Sequence, residues 1–369
     1  MYTIVLRTAI LCACALLYSV SVLPVNDAKS SCCVQLREYK FEPDPRLTEF
    51  SPECVVVWVD QQRKLLYVTL KCHQDQPVKS AGWYTSKDGG RTWQAASKIP
   101  ALSGETDWGP HPSDPLVRYR GVVEPTENAY IDEWFVERTS DGGKHWTRLR
   151  ASINGSLEKV GHVTKLVYHP KDVNWIYVSA PVPLTRVPST VFETSKFGIY
   201  TSTDGGQNFR LLLMNDSSEF AVSKSQPNVI FAKVFGGSIA KSEDSGTSWR
   251  LVEQNDAIRH LHGLGAGSSS KADENRKSEN SIHNILIDPN DAKVVYVLSR
   301  KGILKTSDGG NSWCVLEIGP SSITSAVGSM ALDPNEPHTI LVGTYAGLYW
   351  SRDGGCSWER VNVRKLVTR

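Results

Sequence analysis

Several side chains in this 369-residue chain have types and spacings suited to chemistry. Arg118, Arg120 and Arg186 could converge on an acidic group, because a guanidinium fork matches a carboxylate. Their plainer expectation is solvated surface cations. His260 and His262, preceded by Arg259, alternate along the chain, so on a strand both imidazoles would face one side and could share a metal ion. No third ligand accompanies them, and no metal site is expected. Trp108 and His111, bracketed by Pro110 and Pro112, offer an aromatic binding platform, with packing of that loop on the core as the alternative. These eight residues are the candidate ligand contacts. No catalytic residue and no cofactor is assigned.

Six aspartates stand in one repeated setting. The segments are Ser86–Trp93 around Asp88, Thr139–Trp146 around Asp141, Ser202–Phe209 around Asp204, Ser242–Trp249 around Asp244, Thr306–Trp313 around Asp308, and Ser351–Trp358 around Asp353. All obey [ST]-x-D-x-G-x-x-[WF]. A Gly-rich turn between two strands uses glycine for positive φ, and its Asp carboxylate can accept backbone N–H groups of the same turn. Trp93, Trp146, Phe209, Trp249, Trp313 and Trp358 then open the next strand and supply a packing face. Aspartates in such turns invite a calcium reading, but a structural turn is the stronger expectation.

Around each box lie four short apolar stretches separated by Gly, Pro and Asp, such as Trp175-Ile-Tyr-Val before the third box and Arg210-Leu-Leu-Leu after it. Helical periodicity is absent. The box aspartates are separated by 53, 63, 40, 64 and 45 residues, against roughly 40–50 for four strands with their loops. This predicts an all-β chain: a six-bladed β-propeller of four-stranded antiparallel blades, with room for a seventh degenerate blade. Segment 34–41 could pair with the final blade. Three segments, 94–130, 181–197 and 253–282, read as inserts where a ligand could sit.

The boxes resemble Asp-box (BNR) repeats over residues 34–360. Families carrying them include sialidases, xyloglucan-cleaving glycosidases, photosystem assembly factors and sortilin-type (VPS10) ectodomains. The resemblance implies a propeller with the boxes on the hairpin between third and fourth strands, away from the ligand face, and is nearly silent on activity. A sialidase would need three arginines, a Tyr–Glu pair and an acid Asp. The [FY]-R-I-P element that precedes its first box has no match before Asp88; the nearest text is Leu184-Thr-Arg186-Val-Pro188. Sortilin-type ectodomains suggest a secreted propeller that binds protein or peptide, although this chain lacks their ten blades and cysteine-rich module.

Residues 1–21 read as a signal peptide, with cleavage as late as residue 30, on the basic flank of Arg7 and the apolar run Thr8–Val25. Retention as a signal anchor is the alternative. Residues 32–360 form one propeller domain and 361–369 a basic tail. Cys32, Cys33, Cys54, Cys72, Cys314 and Cys356 then remain, an even number fitting disulfides in an oxidising compartment. Either a bond from Cys32 or Cys33 to Cys314 or Cys356 clasps the ring, or pairing is local, as Cys54 with Cys72. Asn154 and Asn215 head N-glycosylation sequons. Net charge is +2, from 41 basic and 39 acidic residues, which makes no case for nucleic acid or an anionic membrane surface. The expectation is a secreted, extracellular monomer that binds a protein or peptide ligand, or a glycan, without catalysis. A glycoside hydrolase, or a carbohydrate-binding relative of one, is the alternative.

Overall fold

The computed structural model describes residues 54–60, 65–71, 83–95 except 89, 106–125, 132–149, 152–153, 156–157, 163–181, 197–215, 218–234, 237–252, 282–299, 302–318, 327–344 except 334 and 337, and 347–361. Among them are six sheets, each carrying one repeat box. The first is β1 (Cys54–Asp60), β2 (Leu65–Lys71), β3 (Trp83–Ser86) and β4 (Gln94–Ala95). The second is β5 (Thr106–Pro110), β6 (Arg118–Pro125), β7 (Asp132–Thr139) and β8 (Thr147–Arg148). The third contains β9 (Ser152–Ile153), β10 (Ser156–Leu157), β11 (Lys165–Tyr168), β12 (Ile176–Pro181), β13 (Phe197–Ser202) and β14 (Asn208–Asn215). The fourth is β15 (Phe220–Val222), β16 (Ile230–Val234), β17 (Ser238–Ser242) and β18 (Arg250–Leu251). The fifth is β19 (Ile282–Ile287), β20 (Val295–Ser299), β21 (Gly302–Thr306) and β22 (Cys314–Leu316). The sixth is β23 (Val327–Leu332), β24 (Ile340–Thr344), β25 (Gly347–Ser351) and β26 (Glu359–Val361).

Five sheets are simple antiparallel meanders of four strands. The third adds the small hairpin β9–β10, which joins the outer strand β14 in parallel, pairing Ser152 with Asn208 and Ile153 with Phe209. Period-two alternation would bury one face only, yet β17, β20, β21 and β24 are buried at every residue. Both faces of these strands are therefore covered, as they must be when sheets stack on each other.

The stacking order follows from the boxes. The second glycine of the third to sixth boxes lies against the sheet before it, whereas Gly143 of the second box meets only its own Trp146. A Cβ on Gly206 would meet Leu149, on Gly246 Leu212, on Gly310 Val252, and on Gly355 Leu316, all within 2.6–2.9 Å. Gly90 of the first box lies 3.3 Å from Trp350 of the sixth sheet by the same measure. Leu66, Leu341 and Leu348 share one buried cluster across that junction, and Arg91 meets Glu336 at 3.1 Å. With both partners nearly half exposed, that ion pair contributes at most about 1 kcal/mol, so the apolar contact holds the junction. The first sheet thus returns onto the last. Such a closed stack of sheets is a β-propeller.

Each box shows the predicted carboxylate turn, and in all but the third, which has Phe209, and the sixth, the Trp Nε1–H also bonds back to the second glycine. In the fifth, Thr306 Oγ1 donates to Asp308 Oδ1 at 2.7 Å and accepts Gly310 N–H at 2.9 Å. Asp308 Oδ1 accepts Asn311 N–H and Ser312 N–H, both at 2.9 Å, and Oδ2 accepts the Ser312 hydroxyl. Trp313 Nε1–H donates to Gly310 O at 3.2 Å. In the fourth box Ser245 replaces the first glycine and takes φ 60°, the left-handed region that glycine otherwise fills.

A second recurring turn joins the first and second strands of five sheets. His111, His169, Ser223, Asp288 and Asp333 each donate N–H to a carbonyl six residues on, at 2.7–2.9 Å. Each side chain accepts backbone N–H groups inside its turn, for example His111 Nδ1 from Ser113 at 3.1 Å and Asp333 Oδ1 from Asn335 at 2.7 Å. This turn rests on the box of its own sheet, as where Gly205 N–H reaches Asn174 O and Gly354 N–H reaches His338 O, both at 2.9 Å or less. Boxes and these turns therefore share one face of the ring.

Two expectations need correction here. Segment 94–130 is not an insert: it contains β4, β5 and β6, so Trp108 lies on a strand. Asn215 is fully buried at the end of β14, and its side-chain amide donates to Lys233 O, which leaves no room for a glycan on that nitrogen. Asn154, the 34–41 segment, and the side chains of Cys32, Cys33, Cys54 and Cys72 lie outside the described residues. Cys314 and Cys356 are each disulfide-bonded.

Candidate functional site

A cleft of about 320 Å³ opens on the box face between the second and third sheets. Arg138, Thr139, Asp141 and His145 line one wall, Arg148 and Leu149 the floor near β8, and Gly205 and Gln207 of the third box the other wall. Strand β7 carries Arg138 to the rim because Thr139, the next residue, must turn inward to accept Gly143 N–H at 3.1 Å. Period-two alternation then sends Arg138 to the opposite face, toward the third sheet.

Arg138 Nε–H donates to the Tyr119 hydroxyl oxygen at 3.1 Å, and its Nη2 to Asn174 Oδ1 at 3.3 Å. Both partners are neutral. Burial pushes the Tyr119 hydroxyl above its ordinary range, with Arg138 opposing, so the phenol stays protonated and cancels no charge. Nη1 of Arg138 has no hydrogen-bond partner among the described residues. Gly205 closes this wall at φ +76°, and a Cβ there would come 3.4 Å from both Arg138 Nε and Asn174 Oδ1.

The carboxylates around the cleft are committed. Glu137 holds Arg120 at 2.7 Å and Arg148 at 3.6 Å. Asp141 accepts from Thr139 at 2.7 Å, from His145 N–H at 3.0 Å, and lies 2.6 Å from His145 Nδ1. The His145 backbone bond, then Thr139 and the His145 ring, hold the Asp141 carboxyl well below its ordinary range. The other boxes agree: the Ser248 hydroxyl and N–H bring Asp244 down to about 2. Both oxygens of each box carboxylate accept protons from N–H or O–H groups, which is the wrong environment for a cation. No group of three or more potential ligands exists among the described residues.

The sequence-derived candidates fall elsewhere. Trp108 is half-buried against the core shared by the second and third sheets. His111 is fully buried, caps its own turn through Nδ1, and meets the Tyr168 ring edge-on at 5.1 Å. A platform for ligand is therefore the wrong reading of His111; it does the work of Asp288 and Asp333. Arg120 is held by Glu137 and lies over the Trp146 ring at 4.3 Å, so it is an internal tie rather than an open clamp. Arg118 is on β6 opposite Thr139 and is also engaged. Arg186, Arg259, His260 and His262 lie outside the described residues. The cleft residues Arg138, His145 and Arg148 went unread in the sequence. Aligning the boxes finds the first: the place before the Ser or Thr is Thr85, Arg138, Thr201, Lys241, Lys305 and Trp350 in turn.

No protein-family model matches this sequence, and no curated protein matches it. Solved structures do. An ancestral GH74 enzyme is 17% identical over 72% of this chain and 33% of its own, with a TM-score of 0.45. This chain thus spans about a third of that enzyme. YCF48 bound to D1 peptide is 14% identical, covering 90% of this chain and 87% of its own, with a TM-score of 0.43. An α-L-arabinanase of Penicillium chrysogenum complexed with arabinobiose is 11% identical over 82% and 91%, with a TM-score of 0.44. No residue's role crosses at these identities.

Proposed function

We propose that this chain is a secreted, non-enzymatic propeller that binds a protein or peptide ligand. On this reading residues 1–21 are a cleaved signal, the six boxes mark six blades of a monomeric ring, and disulfides stabilise the ring outside the cell. The observation that carries the binding role is the composition of the cleft between the second and third sheets. Its lining combines the cations Arg138 and Arg148 with the neutral polar groups of Ser140, Thr147 and Gln207, and its one carboxylate, Asp141, is held in the ionised form. A glycosidase acid must keep its proton near neutral pH, which needs the opposite shift.

The test is secretion of the tagged chain from cultured cells, capture of bound proteins from the medium, and in parallel assay on fluorogenic sialosides, β-glucans and arabinan. The expected result is a saturable protein or peptide ligand and no turnover. Hydrolysis of any of these sugars that is abolished by Arg186→Ala would replace this reading with the glycoside hydrolase one.

A further inference from the structure

We infer that the cleft between the second and third sheets is a carboxylate-recognition site, taking an acidic side chain of an extended peptide through Arg138. This rests on the binding role proposed above and names the chemistry of the ligand.

The argument comes from comparing the same position in different sheets. Lys305 replaces Arg138 in the fifth sheet. It is 5% exposed, and its ammonium donates to Gly354 O of the next box at 2.7 Å. Lys241 replaces it in the fourth; it is 7% exposed and reaches Glu243 at 2.7 Å. Both cations are turned inward onto acceptors of the protein. Arg138 is not. It is half-buried and lines the cleft, both of its hydrogen-bond partners are uncharged, and its Nη1 meets no acceptor among the described residues. A guanidinium fixed at Nε and Nη2 has already lost its rotamer freedom, so an incoming carboxylate meets a preorganised donor.

A peptide fits better than a sugar. Sugar rings stack on open aromatic faces, and those beside the cleft are covered: Arg120 lies over Trp146 at 4.3 Å and Arg148 over Phe135 at 3.9 Å. The cleft floor instead carries β8, the outer strand of the second sheet, which has no further strand beside it among the described residues. The third sheet's outer strand, by contrast, is covered by β9. An extended peptide can lie along β8 by backbone hydrogen bonds and place an acidic side chain on Arg138.

The test is calorimetric titration of the secreted protein with N-acetyl-Gly-Glu-Val-Glu-Gly-amide, its Gln-for-Glu counterpart, and a sulfated disaccharide. The expected result is saturable binding of the acidic peptide alone, weakened at least tenfold by Arg138→Gln and little changed by Lys293→Gln on the fifth sheet. Because Arg138→Gln keeps an N–H donor within reach of the Tyr119 hydroxyl, an unchanged melting temperature separates lost recognition from lost folding. Equal binding of the Gln peptide, preference for the sulfated sugar, or indifference to Arg138→Gln overturns the site. A captured protein ligand that still binds Arg138→Gln at full strength removes this site and leaves the binding role standing; hydrolysis of sugars removes the role itself.

Discussion

The junction between the second and third sheets and that between the fifth and sixth are built from the same parts and end differently. At the latter, Gly355 lies against Leu316, and Lys305 closes the gap by donating to Gly354 O at 2.7 Å. At the former, Gly206 lies against Leu149, but Arg138 stops at Tyr119 and Asn174, and a cleft remains. At one repeat position, therefore, Lys305 bonds to the backbone of the next box while Arg138 lines a cleft. A repeat fold can thus hold its architecture at most junctions and vary one of them for recognition.

The largest expected effect comes from jamming the sealed joint. Gly355→Ala must adopt φ +100° and place a methyl 2.6 Å from Leu316, so a loss on the order of 3 kcal/mol is expected by denaturant unfolding. A loss below about 0.5 kcal/mol would mean that the joint is not close-packed. Lys305→Met removes the ammonium and leaves Gly354 O without its donor, for a loss of about 2 kcal/mol. Arg138→Met at the open joint, half-exposed and with uncharged partners, is expected to cost less than about 1 kcal/mol. Similar values for Lys305→Met and Arg138→Met would erase the contrast between the joints.

A pH profile sharpens the comparison further. Burial lowers the His111 pKa in the fold, opposed by backbone acceptors of His169 and Asp172 and by the charges of Asp114 and Asp172. The unfolded chain then takes up the proton first. Stability therefore rises with pH from the folded value up to the model-peptide value near 6.5, and falls as pH drops through that window. His111→Asp installs the residue that caps the equivalent turn at 288 and 333. Melting temperatures measured between pH 5 and 7 should lose part of their slope in this variant, the rest coming from His169, which burial depresses in the same way. The box aspartates work in a separate window: Asp244, depressed to about 2, contributes above the unfolded carboxyl value and is lost only as pH falls toward 2.

The repeat architecture was legible because it is local. Asp308 and its turn need only eight consecutive residues, so the box could be read with its carboxylate contacts, while its position between third and fourth strands came from the resemblance to Asp-box repeats. The His111 turn was missed for a physical reason: His, Ser and Asp present different letters, while all three offer one acceptor atom to the same backbone N–H groups. Asn215 shows the limit of a motif, since its three-residue sequon carries no record that β14 buries it. The cleft was not legible at all, because Arg138 meets Tyr119, Asn174 and Gly205 only when two sheets stack.

The most direct test follows the two joints at once by ¹⁵N NMR, reading Arg138 Nε and Lys305 Nζ while the acidic peptide is added. The account predicts a saturating shift at Arg138 with Lys305 unmoved. Movement at both, or at neither, would contradict it.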